Sequence, residues 1–174
     1  LQAETRGQAV DAALADYAEE DPQAAATLLA TRFPDDMSAA SDAEFKAFKS
    51  IAQSWADIDP QQAGEWADNL PESKARLLAV EALADEWTAA DPVGVSTWVA
   101  NLPPGLARDV AAFELIEHVM RDDPSGALQR ATSLSRQRDI DRYTTRVFQT
   151  WLRTDPNGAQ AALSDGNVSQ AVAA

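Results

Sequence analysis

Cysteine is absent from this 174-residue chain, and histidine occurs once, at His118. Without thiols there is no disulfide framework and no thiolate zinc site. Without Cys, and with its one imidazole at a varied polar position expected to face solvent, the chain is not expected to build a nucleophilic triad. No apolar run approaches the roughly 18 residues that read as a membrane-crossing helix, so no membrane insertion is expected within the chain. Cations are scarce: 14 Lys and Arg stand against 28 Asp and Glu, for a formal net charge of −14 and a pI near 4.3. Such a surface repels phosphate backbones, which argues against a nucleic-acid partner. A Gly-rich phosphate loop, an H-E-x-x-H helix and an EF-hand calcium loop are also missing. No catalytic residue, cofactor or metal ligand is therefore assigned. The chain opens on Leu1 rather than Met, with no basic-then-apolar leader, and so reads as a processed chain or a fragment.

What is present is a repeat. Asp-Pro occurs at 21–22, 59–60, 91–92, 123–124 and 155–156, at intervals of 38, 32, 32 and 32. The flanks agree. Four residues before each Asp stand Tyr17, Trp55, Trp87, Val119 and Trp151. Four after it stand Ala25, Ala63, Val95, Ala127 and Ala159; seven after it stand Leu28, Trp66, Trp98, Arg130 and Ala162. A period of this size is the signature of a helical array.

Each unit divides into two helices. Asp at an N-cap accepts a backbone N–H, and Pro fits the first helical position. Positions +4, +7, +8 and +11 from Asp are mostly apolar, which is one face of a helix. The sequence Asn-Leu-Pro at 69–71 and 101–103 ends this first helix, since Asn tolerates the left-handed conformation and Pro cannot continue the helix. A second helix follows, with Ala79, Val80, Leu83, Ala84 and Trp87 matched by Ala111, Ala112, Leu115, Ile116 and Val119. The longer first interval places extra residues in a loop at 33–42, where Ser41 or Asp42 caps the next helix. Residues 4–18 fit the second-helix template, and the tail after Leu163 stops before a second helix is complete. The expected fold is all-α: a right-handed superhelical α-solenoid of antiparallel helix-turn-helix repeats. It forms one array, with a partial unit 1–20, units 21–58, 59–90, 91–122 and 123–154, and a partial unit 155–174.

The joint, with Asp59-Pro60 followed by Trp66 and Asp91-Pro92 followed by Trp98, resembles that of tetratricopeptide and Sel1-like helical hairpin repeats. The likeness covers about a third of each unit, and the period is 32 rather than roughly 34. The resemblance implies a superhelical surface that binds peptides or proteins, with the first helices on its concave side. Positions +6, +9 and +10 would then face a partner. These are Glu65, Asp68 and Asn69 in one unit, and Thr97, Ala100 and Asn101 in the next. Asn69 and Asn101 also read as helix C-caps.

Other residues read structurally. His118 takes a varied polar position, expected at the surface. The recurring tryptophans are expected in the core, the alternative being an aromatic wall for a sugar or peptide. Arg6, Arg76 and Arg108 each lie fifteen before an Asp-Pro. A cation early in a helix opposes the helix dipole, so each is expected to find a carboxylate or loop carbonyl in the adjacent unit, with a ligand-binding row as the alternative. Residues 121–153 hold seven arginines against four aspartates, net +3, whereas residues 1–120 are net −15. Complementary packing within the array is the expected reason. The acidic part favours a protein or peptide partner with basic segments. The expected function is a non-catalytic protein-interaction scaffold, resembling arrays of bacterial exported or membrane-tethered proteins. The alternatives are a superhelical accessory domain of a larger enzyme, such as a peptidoglycan lytic transglycosylase, or a structural spacer.

Overall fold

The computed structural model describes residues 16–32 and 40–164. Arg6, most of the loop expected at 33–42 and the tail from 165 lie outside the described residues. Residues 16–20 are helical. The helices that follow are α1 (Pro22–Arg32), α2 (Asp42–Ile58), α3 (Pro60–Asn69), α4 (Lys74–Ala90), α5 (Pro92–Asn101), α6 (Leu106–Val119), α7 (Pro124–Thr132), α8 (Gln137–Thr154) and α9 (Pro156–Ser164). No strand occurs among the described residues, so the chain is all-α there.

Every Asp-Pro step is a joint that closes one helix and opens the next. The backbone N–H groups of Asp21, Asp59, Asp91, Asp123 and Asp155 donate to the carbonyls of Tyr17, Trp55, Trp87, Val119 and Trp151, at 2.7 to 2.9 Å. The Oδ1 atoms of the same aspartates accept from the N–H groups of Ala24, Gln62, Gly94, Gly126 and Gly158, at 2.8 to 3.0 Å. One residue thus satisfies orphan groups on both helices. The dihedrals recur too. Asp59, Asp91, Asp123 and Asp155 have φ of −150°, −146°, −132° and −144°, with ψ of 87°, 84°, 73° and 84°.

Three joints carry Gly at the third position after Asp, a regularity the apolar pattern does not reveal. A Cβ at Gly94 would lie 2.2 Å from Asp91 Oδ2 and 3.0 Å from Trp87 Nε1. One at Gly158 would lie 2.1 Å from Asp155 Oδ2 and 3.1 Å from Trp151 Nε1. At Gly126 the obstacles are Asp123 Oδ2 and the Arg130 guanidinium, at 2.0 and 2.8 Å. The cap carboxylate has turned into the space a side chain would fill. Where Gln62 takes that position, its Nε2 donates to Asp59 Oδ2 at 2.6 Å instead.

The core repeats with the same 32-residue step. In the second helix of each unit one stripe turns inward: Ala47, Phe48, Ile51, Ala52 and Trp55 on α2; Ala79, Val80, Leu83, Ala84 and Trp87 on α4. The stripe continues as Ala111, Ala112, Leu115 and Ile116 on α6, and as Tyr143, Thr144, Val147, Phe148 and Trp151 on α8. The small alanines allow close helix approach, and the large rings fill what is left. In the first helices, position +4 (Ala25, Ala63, Val95, Ala127, Ala159) is fully buried throughout. Position +8 is buried at Leu29, Ala67, Val99 and Ala131, and position +11 at Leu70, Leu102 and Leu134. Position +7 departs from expectation: Leu28 is 53% exposed, and Trp66, Trp98 and Arg130 are half-buried. Trp55, Trp87 and Trp151 are core residues as expected. Trp66 packs by its ring, 5.7 Å from Trp55 and stacked at 6.3 Å on Phe48.

Of the two candidate caps before α2, Ser41 is the one used. Its Oγ accepts from Glu44 N–H at 3.2 Å and its own N–H donates to Glu44 Oε2 at 2.7 Å, a capping box. Ser73 caps α4 through Arg76 N–H at 3.2 Å. Gly105, before α6, adopts φ 156°, a backbone open to glycine. No other described residue has positive φ. Asn69 therefore does not end α3 in the left-handed conformation. Its amide donates to the Glu65 carbonyl at 2.7 Å, and Leu70 leaves the helix extended, as a residue before Pro must.

The chain divides into two compact units, up to Gly94 and from Val95 onward, with the division falling inside α5. In the first, α2 packs on α1, α3 and α4, and α3 packs on α4. In the second, α7 packs on α6 and α8, and α8 packs on α9.

Candidate functional site

Glu65, Asp68 and Asn69 all lie on the outer side of α3 and are exposed, while Ala63, Gly64 and Ala67 face inward. Their three- and four-residue spacing places them side by side. Two carboxylates and an amide thus form a short acidic face. The Asn69 amide nitrogen is already engaged by the Glu65 carbonyl, which leaves its oxygen for a partner. Thr97 and Asn101 lie on α5 in the second unit, four residues apart and both exposed, with Ala100 beside them. Five candidate residues therefore fall into two groups, one in each compact unit.

His118 is exposed, as expected. Among the described residues no group of three or more His, Asp or Glu is arranged to hold a metal. "RDD" at 121–123 supplies the Asp123 cap, and Asp139 pairs with Arg136 Nε at 2.6 Å.

Arg108 meets its expectation directly: Nη2 donates to the Ser133 carbonyl at 3.1 Å, in the segment between α7 and α8. Arg76 departs from it: it is buried and pairs with Glu72, four residues before it in its own unit rather than in the adjacent one. Beside Arg108 lies Asp109, 1% exposed. Its Oδ1 accepts from Ser135 N–H at 2.9 Å, and its Oδ2 is buried without a hydrogen-bond partner. The two residues together anchor the α7–α8 connection to α6. They also border a cavity of about 140 Å³ with Ser96, Val99, Ala112 and Arg130.

A larger cavity, about 340 Å³, sits between the carboxyl end of α6 and the outer face of α8. Arg121, Arg146 and Arg153 line it. Arg146 Nη2 also reaches Glu117 Oε2 at 2.7 Å, one of the complementary contacts expected of the basic segment. Sequence reasoning missed this pocket as a site. The signal was available in part: Arg146, Gln149, Thr150, Arg153 and Thr154 are spaced as one helical face. Nearby, Phe113 and Tyr143 stack with centroids 4.5 Å apart. Burial of Tyr143, and next the Glu117 carboxylate, raise its phenol above the usual tyrosine range. At the Asp59 joint, hydrogen bonds from the Gln62 backbone and then its side chain lower the carboxyl below its usual range.

No protein-family model matches the chain, and no curated protein or solved structure matches it either.

Proposed function

We propose that this chain is a protein-interaction scaffold: a superhelical stack of helical hairpins whose first helices present a face to a basic polypeptide segment. The stack rests on the joints. Four Asp-Pro steps share nearly one backbone geometry, and equal joints applied in series generate regular rotation between units. The binding face rests on one observation above others: Glu65, Asp68 and Asn69 stand exposed and adjacent on α3, over a side built of Ala63, Gly64 and Ala67. Small residues on the inner side bring the helix close to its neighbours and leave its polar side outward.

An extended Lys- or Arg-rich segment suits this face. Its cations meet Glu65 and Asp68, and its backbone N–H groups meet the Asn69 oxygen. The excess of acid over base in residues 1–120 steers such a partner in. The experiment is titration with a basic peptide at rising salt, in the parent and in the Glu65→Lys/Asp68→Lys variant. Binding should weaken with salt and fall at least about tenfold in the variant. Binding indifferent to both would remove α3 as the site.

A further inference from the structure

We propose that the arginine-lined cavity beside α8 binds the dianionic head of a phosphate monoester. This is separate from the acidic face on α3 and opposite in charge.

The arginines around this cavity have few anionic partners of their own. Arg121 lies just past the end of α6, is exposed, and has no carboxylate within ion-pair distance among the described residues. Arg153 bonds only to neutral groups: Nε to the Gln149 carbonyl at 3.2 Å and Nη2 to Thr150 Oγ1 at 3.3 Å. These bonds hold its guanidinium along the wall of the cavity. Arg146 shares one bond with Glu117 and remains half-exposed. Three guanidiniums against one carboxylate leave two positive charges facing one pocket in a chain whose net charge is −14.

Arginine alone does not prove a site. A cation past a helix carboxyl end is favourable in itself, since the end carries about half a negative charge. Arg121 and Arg153 both gain from that, and part of their field is spent there. One arginine per helix end would suffice for it, however. Arg146 stands two turns before the end of α8 on the same face, and the surplus opens onto a cavity of about 340 Å³.

The chemistry then selects the ligand. A guanidinium offers a planar fork that matches phosphate oxygens two at a time, and each has five N–H donors. Gln149 and Thr154 add a neutral amide and a hydroxyl to the rim. A phosphate monoester carries about −1.5 to −2 charges at neutral pH, which matches the surplus of two. The cavity leaves room for the organic group on the fourth oxygen. A polyanion is disfavoured, because the remaining surface repels it. The phosphate has two possible sources, a free small phosphomonoester or a phosphorylated side chain.

The experiment is calorimetric titration of the whole chain with glycerol phosphate and with a phosphoserine peptide, beside succinate as a dicarboxylate control. The Arg121→Gln/Arg153→Gln variant is titrated in parallel, and far-UV circular dichroism confirms its fold. Both phosphates should bind saturably, succinate at least about tenfold more weakly, and the variant should lose at least about tenfold for phosphate. Affinity should fall between about pH 7.5 and about 5, as the phosphate takes up its second proton. A peptide at least about tenfold tighter than glycerol phosphate identifies a phosphorylated side chain as the source; otherwise the source is a free ester. Absence of saturation by either at about 10 mM, equal binding of succinate, or an unaffected variant overturns the proposal. None of these results depends on α3, so the basic-peptide reading stands or falls apart from it.

Discussion

Replacing Gly94 by Ala tests the joint most sharply, because two effects of similar size oppose each other. In an ordinary helix Gly to Ala stabilises by about 0.5–1 kcal/mol, since Gly loses more backbone freedom on folding. At Gly94 the new methyl would sit 2.2 Å from Asp91 Oδ2, 3.0 Å from its Cγ and 3.0 Å from Trp87 Nε1. Turning the carboxylate moves Oδ2 but leaves Cγ and the indole too near. The cap must therefore shift as a whole, and losing a cap costs about 0.5–2 kcal/mol. We expect Gly94→Ala to be neutral or destabilising by up to about 1 kcal/mol.

The decisive comparison is made without the carboxylate. Asp91→Ala alone should cost about 1 kcal/mol. In that background Gly94→Ala meets only the indole edge and should recover most of its normal gain. The sign of the glycine substitution thus reverses, with a coupling of about 1 kcal/mol between the two positions. Thermal unfolding reads this, at about 2–4 °C per kcal/mol for a chain of this size. If Gly94→Ala stabilises the parent as much as it stabilises the Asp91→Ala variant, the carboxylate has room to turn and the reasoning is wrong. The Asp21 joint shows what such room looks like: Ala24 carries a Cβ and still donates to Asp21 Oδ1 at 2.9 Å, with Tyr17 in place of the indole.

Trp87→Ala should cost roughly 3–5 kcal/mol, since Trp87 is 4% exposed within the buried stripe of α4; an unfolding midpoint equal to the parent's would place the ring outside the core. Asp59 should remain ionised below its ordinary value of 3.8. A depressed carboxyl contributes stability above its unfolded value and loses it as pH falls through the folded one. In Gln62→Ala, carboxyl-detected NMR should show the Asp59 midpoint rising only part of the way back, because the backbone N–H remains. For Tyr143 the sign is opposite. A phenol raised by burial contributes stability below the ordinary value of 10.0 and loses it as pH rises through the folded value. Phenolate absorbance in a Tyr17→Phe background should therefore appear only above pH 10 while the fold persists; a midpoint at or below it contradicts the burial.

The periodic part of the fold was legible because it is local chemistry repeated. Asp before Pro specifies a cap whatever surrounds it, and all five such steps form one. Alanine, leucine and tryptophan at helical spacing marked α4 and α6 nearly residue by residue. Position +7 misled, and the helix angle explains why. At 100° per residue, positions +4, +8 and +11 fall within an arc of about 60°, and +7 lies about 40° beyond its edge. An apolar Leu28 or Trp66 there sits on the rim, where hydrophobicity alone does not separate cover from core. The Gly94, Gly126 and Gly158 positions were silent for a different reason. Their constraint comes from a carboxylate and an indole or guanidinium that meet only in three dimensions.

Recurrence itself separates structure from function in a chain like this. Asn stands at +10 in two units, which suggested a peptide contact, yet Asn69 spends its amide nitrogen on the Glu65 carbonyl of its own helix. A residue that returns with the period serves the period first, and only the Asn69 oxygen is left over for a partner. At +6 the two units offer Glu65 and Thr97, and at +9 Asp68 and Ala100; these differ because no shared packing demand acts on them. The basic cavity draws on both kinds of position. Arg153 stands one period after Arg121, each beside a helix carboxyl end, and that recurrence fits the favourable place of a cation there. Arg146 follows Glu114 and Ala82 at its own position. Ala82 is buried, whereas Arg146 opens onto the cavity. The residues that break the period are the ones free to specify a partner, and they are placed by those that keep it.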